Sequence, residues 1–159
     1  MLDTKQTESL FEAIRSNDDH KLTMLLAENP KLVNTKDARG FTPLIFATYF
    51  DNETASDILL EHNADIDAKD GTGNTALIGV CFKGNIKLAK LLIDNGAHIN
   101  AKNNMGTTPL IFATMYNKEG IIKLLLSKGA DILATDNEGK TAYNHANEKA
   151  YKNLLELLK

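Results

Sequence analysis

The chain has 159 residues, a net charge of −3 and only two arginines, Arg15 and Arg39, so the phosphate-neutralising groups that nucleic acids require are scarce and a nucleic-acid ligand is disfavoured. Nothing approaches the roughly 20 apolar residues of a membrane helix, and Met1–Glu8 lacks the apolar core of a secretory signal. The lone cysteine, Cys81, cannot form an internal disulfide, which fits a reducing, cytoplasmic setting and a soluble single domain over 1–159.

In chain order, Thr7 to Asn34 reads as two short helices. Leu10, Ala13 and Ile14 share one helical face and Leu22, Leu25 and Leu26 another, with Asn17-Asp18-Asp19 as punctuation. The next segment opens at a turn, Asp37-Ala38-Arg39-Gly40. Thr42 then suits an N-cap and Pro43 the first helical position, where its missing N–H would have been unpaired anyway. Leu44, Ile45 and Ala47 give a buried face; Ala55, Ile58 and Leu59 mark a second helix. The same plan returns with Thr75, Leu77 and Val80 followed by Ile86, Leu88, Leu91 and Leu92. It returns again with Leu110, Ile111 and Ala113 followed by Ile121, Ile122, Leu124 and Leu125. The last segment runs from Asp136 to Lys159, where Lys149, Lys152 and Lys159 give a charged, water-facing end.

Three columns tie these segments together. Thr42, Thr75, Thr108 and Thr141 recur every 33 residues. Asn17, Asp51, Gly84 and Asn117 fall between the two helices of successive segments, and these residue types tolerate the left-handed backbone region best. Ala150 breaks that column, so an irregular meeting of the last two helices is expected. Asn63, Gly96 and Gly129 form a third column at helix C-termini.

A fixed 33-residue period with Gly40-Phe41-Thr42-Pro43-Leu44 and Gly106-Thr107-Thr108-Pro109-Leu110 resembles the ankyrin repeat. The resemblance spans nearly the whole chain. It implies an all-α repeat solenoid of helix-turn-helix pairs joined by β-hairpin-like loops: an N-terminal cap over 4–35, internal repeats 36–68, 69–101 and 102–134, and a C-terminal cap over 135–159. Ile45, Ile78, Ile111 and Asn144 stand where the family usually has a histidine that links neighbouring repeats, so stacking is expected to lean on apolar packing. The resemblance also implies a non-catalytic protein–protein interaction module, monomeric when unbound, which inhibits, shields or tethers a partner protein held in its concave groove. Polar caps argue against the alternative of end-to-end filaments.

Little in the chain carries chemistry. His20, His62, His98 and His145 occupy unlike repeat positions, without the spacing of a zinc site. Cys81 suits a small core residue, lacking an evident base. Lys36, Lys69 and Lys102 stand beside Asp37, Asp70 and Asn103, which reads as a solvated edge with local Lys–Asp pairing. No cofactor, metal or catalytic residue is expected. The rival class is an enzyme or metal-binding protein with a site in the groove, which would need titratable groups converging there.

The positions that vary while the scaffold repeats are the informative ones. At the hairpin tips they include Arg39, Phe41, Thr72, Asn74, Met105 and Thr107; at the ends of the first helices they include Tyr49, Phe50, Phe82, Lys83, Met115 and Tyr116. The rings could fold back between the helices. They are expected instead to form an exposed apolar stripe, because aromatic residues and Met are enriched at interfaces.

Overall fold

The computed structural model describes residues 3–159; Met1 and Leu2, the start of the stretch read for a leader and of the domain expected over 1–159, lie outside it. Among the described residues there are ten α-helices and no strand. They are α1 (Thr4–Arg15), α2 (Asp19–Glu28), α3 (Pro43–Tyr49), α4 (Glu53–Glu61), α5 (Ala76–Lys83), α6 (Ile86–Asp94), α7 (Pro109–Met115), α8 (Glu119–Ser127), α9 (Ala142–Glu148) and α10 (Lys152–Leu155), with one 3-10 turn at Pro30–Asn34.

The repeated threonine sets where each first helix begins. Thr42, Thr75, Thr108 and Thr141 have extended backbones, and their hydroxyls accept from the N–H of Ile45, Ile78, Ile111 and Asn144 at 3.2, 3.3, 3.3 and 3.3 Å. Each bond satisfies one of the four N–H groups that a helix start leaves orphaned. The helix then stops at the left-handed column: φ is 56° at Asn17, 54° at Asp51, 80° at Gly84 and 53° at Asn117. Ala150 takes the same conformation at 56°. The irregular meeting expected at Ala150 is therefore absent; the exposed alanine is held in the turn that elsewhere belongs to Asn, Asp or Gly by backbone bonds, Ala150 N–H to the Asn147 carbonyl at 3.1 Å and Tyr151 N–H to the Ala146 carbonyl at 2.9 Å.

The helices form two layers. The first helices of successive pairs (α1, α3, α5, α7, α9) pack on one another more closely than the second helices do, which bends the stack toward the first-helix side. Between the layers runs one continuous apolar core, including Leu10, Leu22, Leu44, Leu59, Leu77, Leu88, Leu110, Leu125 and Leu154. No hairpin could bury its apolar face alone, so each depends on its neighbours. Ile86, expected on the buried face of α6, lies exposed at the helix start.

Ile45, Ile78 and Ile111 are buried as the apolar-stacking expectation requires, yet polar links between pairs are plentiful. Asn52 donates from Nδ2 to the Ile14 carbonyl and the Asn17 Oδ1, both at 3.0 Å, while its Oδ1 caps α4 by accepting from Ala55 N–H at 3.0 Å. Along the hairpin edge, Lys36 donates to the Lys69 carbonyl (3.0 Å), Lys69 to the Lys102 carbonyl (2.8 Å) and Lys102 to the Thr135 carbonyl (2.7 Å). The local Lys–Asp pairing expected of this column is thus replaced by a ladder. Each lysine stem is long enough to reach the next hairpin, and the neighbouring Asp37 and Asp70 each turn one carboxylate oxygen to the N–H groups of their own turn.

Candidate functional site

Each tip is a tight turn organised by an Asx side chain. Asp37 N–H donates to the Phe41 carbonyl at 3.0 Å, and Gly40 N–H to the Asp37 carbonyl at 3.0 Å, with Gly40 at φ 78°. A side chain at Gly40 would be strained there and would press on the backbone of Gly71. Successive tips are joined through Gly71 N–H to the Arg39 carbonyl, Asn104 N–H to the Thr72 carbonyl and Asn137 N–H to the Met105 carbonyl, at 3.2, 3.1 and 3.0 Å. The row of tips is therefore rigid.

Facing the tips are the ends of the first helices. Tyr49, Phe50, Phe82 and Tyr116 are 43–51% exposed, and Met105 at a tip is 65% exposed. The rings fall into two groups. Phe41, Tyr49, Phe50, Phe46 and Phe11 form one chain of ring contacts, with successive centroids 5.8, 5.2, 4.7 and 5.1 Å apart. Phe82, Phe112 and Tyr116 form the other, with centroids 6.3, 4.6 and 5.3 Å apart. Between the groups lies a cleft of about 290 Å³. It brings together six of the sequence-derived candidates: Phe41, Tyr49, Asn74, Phe82, Lys83 and Tyr116.

The other candidates lie elsewhere. Phe50 packs edge-on beside Tyr49, outside the cleft. Arg39 lays its guanidinium over Phe41, 4.2 Å from the centroid, and Thr72 and Met105 sit exposed on the tips. Two expectations need correction. Thr107 is only 5% exposed: its N–H makes the same turn bond as Phe41 and Asn74, to Asn103 Oδ1 at 3.0 Å, but its shorter side chain does not reach out of the stack as theirs do; Met115 is half-buried and packs against the core. Neither side chain offers the surface that the variable-position pattern suggested.

Charge at the groove is largely neutralised in place. Burial opposes ionisation of Asp37, but hydrogen bonds from the Arg39 side chain and the Phe41 and Arg39 N–H groups outweigh it and hold its pKa below the usual value. Burial likewise opposes the Asp51 charge, and Lys83 (2.7 Å) and Asn85 more than compensate. The Lys83 ammonium also donates to the Tyr49 carbonyl, with the Tyr49 centroid 5.5 Å away. Burial pushes the Cys81 thiol far up, leaving it protonated in the core. Among the described residues, no group of three or more His, Cys, Asp or Glu is placed to hold a metal ion, and no helix is long and apolar enough to cross a membrane.

A family model for ankyrin repeats in three copies matches residues 10–103, 63–136 and 101–159. The chain belongs to the ankyrin repeat family. Ankyrin repeats are generally protein–protein interaction modules and generally non-catalytic. Within this ankyrin stack, sequence reasoning missed Asp70, Gly79 and Phe112, which also line the cleft. A signal was present: Gly79 stands one repeat from Phe46 on one side and from Phe112 on the other, so the middle of three adjacent ankyrin helices lacks a ring at that position.

Proposed function

We propose that this ankyrin repeat protein is a non-catalytic binder of another protein, engaging it through the groove between the hairpin tips and the first helices so as to inhibit, shield or tether it. The observation that carries this reading is the half-exposed row of Tyr49, Phe50, Phe82 and Tyr116 on three adjacent helices. Large rings left in water on a rigid surface mark an interface, since they desolvate well on docking and lose little rotamer freedom. Hydrogen bonds between tips fix the facing wall before binding, which keeps the ordering cost of association low. First helices packed roughly 8–10 Å apart give a row on the order of 20–30 Å, the span of a standard interface of about 800 Å² per partner. A monomer in a cytoplasmic setting belongs to the same proposal.

The test starts with partners recovered on the immobilised full chain from its native host and identified by mass spectrometry. Each is then produced alone and titrated calorimetrically against the wild type and against Tyr49→Ala/Phe82→Ala/Tyr116→Ala. The proposal expects one partner whose affinity falls by at least about 30-fold in the triple variant, the scale of one interface hot spot. A partner bound equally well by the folded variant overturns the groove as the docking face.

A further inference from the structure

Three of the four tips open on an aspartate, held alike at one oxygen and unlike at the other. Oδ1 of Asp37 accepts from the N–H of Arg39 and Phe41 at 2.9 and 2.9 Å; Oδ1 of Asp70 from Thr72 and Asn74 at 2.8 and 3.0 Å; Oδ1 of Asp136 from Glu138 and Lys140 at 2.9 and 3.0 Å. The second oxygen of Asp37 is taken by the Arg39 guanidinium, at 3.0 and 2.8 Å, which lies over the Phe41 ring. That of Asp136 is taken by His145 Nε2 at 2.7 Å. Between them, Thr72 occupies the place of Arg39, and its hydroxyl turns to Oδ1 at 2.7 Å. Oδ2 of Asp70 has no hydrogen-bond partner among the described residues, and Asp70 lines the aromatic cleft.

We infer that the cleft receives a cationic side chain, an arginine or lysine of the partner protein, whose charge meets Asp70 Oδ2 while its stem lies among Tyr49, Phe82 and Phe112. This rests on the groove being the docking face. The chain's own Arg39 displays the same combination of carboxylate, cation and ring face one repeat upstream. An apolar side chain in the cleft would strip water from Oδ2 without replacing it, and an acidic one would be repelled. Ring faces and a carboxylate together favour a cation. Lys83 does not fill the role, since its ammonium is already held by Asp51 and the Tyr49 carbonyl. Gly79 keeps the floor clear: it sits inside α5, where glycine disfavours helix, yet a Cβ there would meet nothing within 4 Å. A ring such as Phe46 or Phe112 at that position would project into the cleft instead.

The experiment is an amide-shift titration of the isotope-labelled full chain by NMR, with N-acetyl-arginine amide, N-acetyl-lysine amide and the neutral N-acetyl-norleucine amide. The cationic amides are expected to give saturable shifts at Thr72, Asn74, Gly79 and Phe82. Asp70→Asn should weaken them by about tenfold, the scale of a charge-assisted hydrogen bond. That variant keeps the turn, because Asn103 holds the same position one repeat on and accepts from Met105 and Thr107 N–H at 2.9 and 3.0 Å. Gly79→Leu should abolish the shifts, with Gly79→Ala as the folded control. Undiminished binding to Asp70→Asn, or no saturable shift with either cationic amide, overturns the inference. Stronger binding of norleucine amide also overturns it, while leaving the ring row as a docking face, which the triple ring variant tests separately.

Discussion

Replacing Phe82 and Tyr116 together by alanine separates a binding row from a packing row. The two rings meet edge to face with centroids 4.6 Å apart, and each also touches Phe112, at 6.3 and 5.3 Å. A fully buried Phe→Ala change costs about 3–5 kcal/mol. Nearly half of each ring already faces water, and truncation at the groove leaves no closed cavity, so each loses about 1–1.5 kcal/mol and the pair about 2–3 kcal/mol. For a chain of this size that lowers Tm by roughly 5–10 °C, to be read by circular dichroism. Partner affinity, measured by calorimetry at a temperature where both proteins are fully folded, should fall by at least about 30-fold. A Tm loss beyond roughly 15 °C would assign the rings to the core. An affinity within about twofold of wild type would remove them from the interface. Leu133→Ser is the control: Leu133 is 77% exposed and lies outside the cleft, so neither quantity should move.

Asn52→Ala removes the cap of α4 and both donor bonds to the α1 turn, at a cost of about 2–3 kcal/mol; an unmoved urea midpoint would show that the bridge contributes nothing. Ala150→Gly should stabilise by about 0.5–1 kcal/mol, because alanine at φ 56° is strained by more than glycine loses in chain entropy; a lower urea midpoint would contradict this. Asp37, Asp51 and Asp136 all have lowered pKa values although burial opposes their charges. The bonds that overcome it come chiefly from Arg39, from Lys83, and from the Lys140 N–H with His145. A depressed folded pKa means stability that is present above the ordinary carboxylate pKa of about 4 and lost as pH falls through the folded value. The urea midpoint of Asp37→Asn/Asp51→Asn/Asp136→Asn should thus lie below wild type at about pH 6 and converge on it toward about pH 3. A gap that is constant with pH would assign the loss to geometry rather than charge.

Much of the architecture was legible in the chain itself. A threonine every 33 residues fixed where the first helices start, since a hydroxyl at that place caps a helix whatever surrounds it. The Asn, Asp and Gly column fixed where they stop, because few other residue types accept the left-handed turn. These are local effects, repeated often enough to be unmistakable. The stripe of Tyr49, Phe50, Phe82 and Tyr116 was also visible, as variation on a constant scaffold. Relations between repeats were not. The lysine ladder joins side chains to carbonyls 33 residues away, and how far a side chain at the place of Thr107 reaches out depends on the stack around it. The free Oδ2 of Asp70 depends on which way one hydroxyl rotates. The cleft exists because Gly79 stands where the neighbouring repeats have Phe46 and Phe112, and only stacking turns that gap in a column of letters into a space with walls.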